Sequence, residues 1–130
     1  MKKYSPILLA TIVLALLYYF KVAIKLSLAH AWWHTNATLI AASIGLVIGL
    51  LLIWLKPLKP EMAKWLERGL VLTFVIATYI TYAAGREFID SAVFEARAGQ
   101  VWHIGYYVTV ATFIITFSHI YKAVRGKLSK

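Results

Sequence analysis

Four long apolar stretches run along the chain, and short polar clusters separate them. The second stretch, at about residues 37–55, has no charged residue over nineteen positions, which is enough for a helix to cross a hydrocarbon core of roughly 30 Å. The pattern over residues 1–130 predicts one all-α domain, an integral membrane bundle of four transmembrane helices. We expect these helices at about residues 6–31, 37–55, 65–85 and 101–121.

Local signals mark the ends of these stretches. Pro6 suits the first turn of a helix, where its missing N–H has no partner to lose. Pro57 and Pro60 end the second stretch, because two prolines so close together cannot continue a helix. The adjacent Trp32 and Trp33, between the first two stretches, are typical of a membrane–water interface. These boundaries therefore fit helices that end near a membrane surface.

The composition agrees with a membrane protein. Apolar residues make up 62% of the chain and charged residues 15%, with a mean hydropathy of +0.74, whereas soluble domains are nearer half apolar and a quarter charged. The net charge is +9, but the basic residues lie in short clusters between the apolar stretches. We therefore expect the lipid bilayer as a partner and do not expect nucleic acid.

The distribution of lysine and arginine predicts the orientation of the chain. Ten of the fourteen basic residues lie at the N-terminus, at the C-terminus and in the segment around Pro57 and Pro60, residues 56–68, which we call the prolyl loop. Because basic residues accumulate on the cytoplasmic side, we expect both termini in the cytoplasm and the chain in the cell inner, or plasma, membrane. The remaining four basic residues lie toward the other side: Lys21, Lys25, Arg86 and Arg97.

The outer loop, residues 86–100, has a helical period of its own. Apolar residues such as Phe88, Ile89 and Val93 share one helical face, and most of the charges lie opposite. This pattern predicts a short helix in the outer membrane interface. The alternative is that these residues add turns to the third helix.

Small residues recur at every fourth position in the second and third helices. Such rows let two helices approach closely in lipid. One interpretation is a seam between copies of the chain in a homo-oligomer. The other is contact within the monomer, where these two sequential helices pack on each other. The rows include Gly45 and Gly49 in the second helix and Gly69, Thr73 and Ala77 in the third.

The fourth helix carries a narrow polar stripe, because its polar residues recur at steps of three and four. The stripe predicts a polar path through a small oligomeric channel or transporter. The alternative is that the threonines bond back to carbonyl groups of their own helix and face a neighbouring helix. The stripe consists of Thr109, Thr112, Thr116 and His119.

Three histidines are expected at one depth near the outer surface. His30 and His34 are four residues apart, so they share one face if the first helix continues through them, and His103 opens the fourth helix. Glu87 and Asp90 lie in the adjoining loop. Imidazole with carboxylate suits a transition metal, and imidazoles from two helices suit haem b. We therefore predict haem b or a metal at this outer rim, the alternative being simple interfacial anchoring.

Lys21 and Lys25 lie four residues apart in the outer half of the first helix. Charged residues at membrane depth are functional candidates by default. One hypothesis is a site for an anion or a lipid headgroup. The other is that both lysines extend to the interface and pair with Glu87 or Asp90.

Several chemistries are excluded or disfavoured. The chain contains no cysteine, which excludes thiolate catalysis and Cys-ligated metal on this chain. It has no glycine-rich phosphate loop and no metalloprotease motif. We expect Glu61 and Glu67 in the inner loop, so no acid is expected at membrane depth for proton coupling. The chain is therefore not expected to be an enzyme on its own.

Three functional hypotheses follow from these patterns. The leading one is a membrane subunit or small oligomer that binds haem b or a metal at its outer rim. The first alternative is a small oligomeric channel or transporter that uses the polar stripe of the fourth helix. The second is a non-catalytic partner or assembly subunit that works with other membrane subunits or with copies of itself. No motif in the chain decides among them.

Overall fold

The computed structural model describes residues 2–91 and 96–128, and over these ranges the chain is mostly helical and contains no strand. Three of the helices are long and apolar enough to cross a membrane: His34–Leu55, Pro60–Asp90 and Ala96–Leu128. The all-α prediction is thereby confirmed. The elements are a 3₁₀ turn at Lys2–Tyr4, α1 at Ser5–Tyr19, α2 at Val22–Lys25, α3 at His34–Leu55, α4 at Pro60–Asp90 and α5 at Ala96–Leu128.

The first apolar stretch forms a shorter helix than its composition predicts. α1 has 15 residues and so extends for about 22 Å at 1.5 Å per residue, less than the roughly 30 Å of a hydrocarbon core. The backbone turns left-handed at Lys21, with φ of 55°, and again at Ser27, with φ of 63°. The prediction of one helix over residues 6–31 is therefore wrong after Tyr19, because these turns interrupt a stretch that stays apolar.

α4 and α5 are longer than predicted at both ends. α4 begins at Pro60, a residue suited to the first helical turn, and continues to Asp90. Residues 86–90 are thus the last turns of α4, and residues 96–100 are the first turns of α5. The prediction of a separate interfacial helix in the outer loop is therefore wrong for residues 86–90 and 96–100. Residues 92–95 of that loop lie outside the described residues.

α5 forms the centre of the bundle. In an apolar 18-residue segment of α5, 50% of the residues are buried, compared with 22% in the corresponding segment of α3 and 17% in that of α4. α5 packs along α4, α3 and α1, whereas α3 and α4 contact each other only slightly. Three helices are thus arranged around α5. Large apolar side chains cover the outside, among them Leu39, Leu72 and Ile104.

The small-residue row of α3 packs inside the monomer, but not on the helix that we predicted. A Cβ added at Gly45 would lie 2.6 Å from the carbonyl oxygen of Ala111 in α5, and one at Gly49 would collide with Ile7 of α1. The expectation that this row packs on the third helix is therefore wrong. The close approach to α5 and α1 is possible because glycine places no side chain between the helices.

The corresponding row of α4 is only partly buried. A Cβ at Gly69 would have no neighbouring atom within 4 Å, Thr73 is exposed and Ala77 is half-buried. Further along the row, Thr81 and Gly85 are buried against α5. α4 therefore packs on α5 through the C-terminal half of its row, and the N-terminal half stays open.

Candidate functional site

The helices bring the three outer histidines to one end of the bundle, but each imidazole packs against a different aromatic ring. Among the residues that the structure describes, no group of three or more His, Asp or Glu side chains is placed to hold a metal. No three of the proposed metal ligands are therefore brought together among these residues in this conformation. The ring pairs are His103 with Trp33 (centroids 4.5 Å apart), His34 with Tyr18 (5.1 Å) and His30 with Trp102 (5.7 Å).

His30 and His34 do not share a helical face, because α3 begins only at His34 and residues 31–33 form turns. His30 is exposed, and its Nδ1 accepts the backbone N–H of Trp32 at 3.0 Å. His34 is 3% exposed, and its Nε2 has no hydrogen-bond partner within the described part of the chain. The condition for the predicted pair, a helix that continues through both residues, is not met.

Aromatic rings close this end of the bundle. Trp102 of α5 is 2% exposed, and its Nε1 donates a hydrogen bond to the carbonyl oxygen of Ser27 at 3.1 Å. Its ring also packs against Trp33 and Phe88, with centroids 5.5 Å apart in both pairs. The hydrogen bond holds the left-handed turn at Ser27 over the start of α5. We call Trp33, Phe88 and Trp102 the aromatic cap.

The carboxylates and lysines predicted near this end lie at the surface. Asp90 forms an exposed ion pair with Arg86 at 3.3 Å, and such a pair contributes at most about 1 kcal/mol. Glu87, Lys21 and Lys25 are also exposed. Over residues 2–91 and 96–128, no ion pair joins either lysine to Glu87 or Asp90. The two lysines therefore face the surroundings of the bundle.

The threonine stripe of α5 is buried and meets α4. The hydroxyl oxygens of Thr109 and Thr81 are 3.3 Å apart. Thr112 donates back to the carbonyl oxygen of Val108 at 2.7 Å, as expected for a threonine that packs within a helix. Thr116 is 6% exposed, and its hydroxyl has no hydrogen-bond partner among the described residues. The stripe thus contributes to the packing of α5 on α4, and among its threonines the buried hydroxyl of Thr116 has no hydrogen-bond partner within the described residues.

A cavity of about 700 Å³ lies at the opposite end of the bundle, between the ends of α1, α3, α4 and α5. We call it the inner vestibule, because this end is the one predicted to be cytoplasmic. Six basic, two acidic and several apolar residues line it. They include Lys3, Lys56, Lys64, Arg68, Lys122 and Arg125, the acids Glu61 and Glu67, and the apolar residues Ile7, Leu52, Ile53, Ala63 and Ile115.

Glu67, His119 and Lys122 form a cluster of charged and titratable groups in the lining of the inner vestibule. Lys122 Nζ donates to Glu67 Oε1 at 2.9 Å, and His119 Nδ1 lies 3.0 Å from the same oxygen. The side chain of Glu67 is 18% exposed. Glu67 is the only acidic residue in the described ranges that is partly buried. We call these residues the Glu67 cluster. One carboxylate oxygen thus serves both partners from α5.

The Glu67 cluster is absent from the sequence prediction, which places Glu67 in the inner loop. That expectation is wrong, because α4 begins at Pro60 and Glu67 lies two turns inside it. The available signal is the proline itself, since proline is favoured at the first position of a helix. Counting from Pro60 puts Ala63 and Glu67 on one helical face, and all three line the inner vestibule.

The charge balance of the inner vestibule favours anions. Six basic side chains face two acidic ones, and one of the acids, Glu67, is already paired with Lys122. Lys56, Lys64 and Arg68 are exposed at the cavity. A cleft with apolar walls and charges of one sign raises the local concentration of counter-ions. The arrangement is therefore suited to hold an anion.

No known protein family, curated protein or solved structure matches this chain. Function is therefore inferred from the chemistry at the two ends of the bundle. One end has separated histidines under an aromatic cap, and the other has a basic cavity.

Proposed function

We propose that this chain is a membrane-spanning protein that binds an oxyanion, a phosphate- or sulfate-type group, in the inner vestibule. One observation carries the proposal: a cavity of about 700 Å³ is lined by six basic and only two acidic side chains. Lysine and arginine bind such groups through charge-assisted hydrogen bonds. The volume also lies in the usual range of ligand pockets, roughly 300–1,000 Å³.

The apolar part of the lining supports a ligand that joins the oxyanion to an apolar group. Ile7, Leu52 and Ile53 line the same cavity as the lysines. An acyl or aromatic group can therefore be removed from water, at roughly 25 cal/mol per Å² of apolar surface, while the anion meets the basic side chains. A phospholipid headgroup and a soluble phosphate or sulfate share this chemistry, and binding measurements separate the two sources.

The channel or transporter hypothesis extends the same proposal. The supporting observation is Thr116, whose buried hydroxyl has no hydrogen-bond partner among the described residues although its neighbour Ile115 lines the inner vestibule. An unpaired buried hydroxyl costs roughly 1–3 kcal/mol, so a polar solute or water that reached Thr116 would recover that energy. In this proposal the path is formed by Thr109, Thr112, Thr116 and His119, and the aromatic cap closes its outer end.

The proposed location is the cell inner, or plasma, membrane, with both termini in the cytoplasm. The support is the excess of basic residues at the end of the bundle that holds the inner vestibule. An anion would then enter the vestibule from the cytoplasm or from the inner leaflet.

The haem b or metal hypothesis for the outer rim stays a prediction. It requires His103 to face His30 or His34 across the ligand, whereas Trp33 stacks on His103 in this conformation. An absorption spectrum and metal analysis of the purified protein test the hypothesis. A Soret band that His103→Ala abolishes would support a haem at this rim, and a colourless, metal-free protein would contradict both ligands.

Calorimetric titration of the purified protein in a neutral maltoside detergent tests the oxyanion site. The probes are sodium sulfate and dioctanoyl phosphatidylglycerol, with zwitterionic dioctanoyl phosphatidylcholine as the control lipid. The double variant Lys56→Gln, Lys64→Gln removes two exposed charges from the lining of the cavity. We expect its affinity for both anions to fall about tenfold, or about 0.7 kcal/mol per charge.

The matched control is the double variant Lys59→Gln, Lys127→Gln. It removes two exposed lysines from the same charge clusters, but neither residue lines the cavity. Its affinity should stay within about twofold of the wild type, because salt screens distant exposed charges. Equal losses in the two double variants would contradict a site in the inner vestibule. Binding of phosphatidylglycerol without sulfate would identify a lipid, and binding of both would identify the oxyanion as the group recognised.

A further inference from the structure

Resting on the proposed oxyanion site, we infer that Glu67 is a built-in competitor for the bound anion, so that an anion enters the inner vestibule together with a proton. The Glu67 carboxylate holds Lys122 and His119 while the vestibule is empty of ligand. A proton on Glu67 releases both partners to the incoming oxyanion. Anion binding is therefore coupled to proton uptake.

The Glu67 cluster has the geometry of an occupied anion site. Glu67 Oε1 lies 2.9 Å from Lys122 Nζ, the distance of a charge-assisted hydrogen bond, and 3.0 Å from His119 Nδ1, an ordinary hydrogen-bond distance. All three residues line the inner vestibule. The side chains of His119 and Lys122 are 41% and 36% exposed. Both partners can therefore be reached from the cavity while the carboxylate occupies them.

An oxyanion that binds Lys122 and His119 would lie within a few ångströms of the Glu67 carboxylate. Two anions this close repel each other, and the repulsion is stronger beside apolar walls than in water. A proton from solvent removes the charge of Glu67, and the protonated carboxyl can itself donate a hydrogen bond to the oxyanion. The balance is one anion and one proton taken up, with no covalent bond formed or broken.

Only some of the charged groups around Glu67 can couple anion binding to proton uptake. Lysine and arginine side chains ordinarily keep their charge between about pH 5 and about pH 8, so the carboxyl groups and the imidazole are the groups that can respond. The imidazole of His119 in the same lining is a second such group, so its contribution to any pH dependence has to be separated from that of Glu67. The neighbours in the lining are Glu61, Lys64 and Arg68 on α4, His119, Lys122 and Arg125 on α5, Lys56 after α3 and Lys3 before α1.

Calorimetric titration with sodium sulfate and with dioctanoyl phosphatidylglycerol, from about pH 5 to about pH 8, tests the inference. Both probes keep their charge over this range. We expect wild-type affinity to rise as the pH falls, by up to about tenfold per pH unit where one proton is taken up. Glu67→Gln keeps the shape of the side chain without its charge. It should bind at about pH 8 at least as tightly as the wild type does at about pH 5, with a much flatter pH profile.

Two further variants isolate the contribution of Glu67. Glu61→Gln removes an exposed acid from the same lining and is the matched control, for which we expect the wild-type pH profile. His119→Gln should keep most of the pH dependence, because Glu67 still competes for Lys122. A wild-type pH profile in Glu67→Gln would overturn the inference, and so would a flat profile produced by His119→Gln alone.

Proton uptake by the wild type gives a second measurement that depends on no variant. Titrations in two buffers with different ionisation enthalpies should show about one proton taken up per anion bound. Anion binding without proton uptake would overturn the inference and leave the oxyanion site standing. If neither probe binds at any pH, the proposed function fails, and this inference fails with it.

Discussion

Glycine keeps helices close together at some positions of this bundle and has no such role at others. A Cβ at Gly45 would meet the carbonyl oxygen of Ala111 at 2.6 Å, whereas one at Gly69 would meet no atom within 4 Å. Both glycines belong to small-residue rows with the same spacing. The difference comes from the partner helix, because α5 lies against α3 at Gly45 and leaves α4 open at Gly69.

Leucine at these two positions is expected to have opposite effects. Gly45→Leu forces α3 away from the backbone of α5 and should lower the free energy of unfolding by about 3 kcal/mol or more. Gly69→Leu meets open space and replaces glycine with a good helix former, so stability should hold or rise by up to about 1 kcal/mol. Thermal unfolding in detergent checks both variants. Equal melting temperatures would contradict the close approach of α3 and α5.

Gel filtration of the same variants addresses the homo-oligomer hypothesis. The exposed part of the α4 row, at Gly69 and Thr73, is the part that a second copy of the chain could contact through close helix packing. A smaller assembly in Gly69→Leu with an unchanged melting temperature would support such a seam. An unchanged elution volume would place any contact between copies elsewhere.

At the scale of the helices, the boundaries that could be predicted are those marked by a chemical signal. α3 ends at Leu55 as expected, just before the prolyl loop. α1 ends early because the backbone becomes left-handed at Lys21, and a second left-handed turn, at Ser27, follows α2. Neither residue is a glycine, asparagine or aspartate, the types that favour this conformation, so the sequence carries no local signal for these turns.

The candidate site depends on contacts between helices, which makes it harder to predict than the helices themselves. Spacing places His119 on the polar face of α5, but its 3.0 Å contact with Glu67 also requires the register of α5 against α4. One sequence does not contain that register. The outer histidines are a similar case, because their shared depth could be predicted, whereas the stacking of Trp33 on His103 could not.

The helix ends that carry most of the basic residues come together in the whole molecule. Trp54 Nε1 donates to Tyr4 OH at 3.3 Å, and Arg125 donates to Ser5 Oγ at 3.1 Å. The start of α1 is therefore beside the ends of α3 and α5. This arrangement concentrates positive charge at one end of the bundle, as an orientation set by basic residues requires. The side of the membrane on which that end lies is a prediction.

Single cysteines test the orientation, because the chain has no cysteine of its own. Lys59, Lys127 and Glu87 are exposed positions toward opposite ends of the helices. A membrane-impermeant maleimide should label Glu87→Cys in intact cells, and Lys59→Cys and Lys127→Cys only after the membrane is opened. Labelling of all three from the same side would contradict the predicted orientation.

The helix on which the others pack is the last of them to be synthesised. α1 and α3 share few contacts, as do α3 and α4, and the polar partners of Thr81 and Glu67 lie on α5. Before α5 enters the membrane, the earlier helices are held mainly by lipid, since packing between helices follows their insertion. Assembly is thus one late step that α5 triggers. A nascent chain that stops before Ala96 consists of inserted helices without a core, and cellular proteases degrade such unassembled chains.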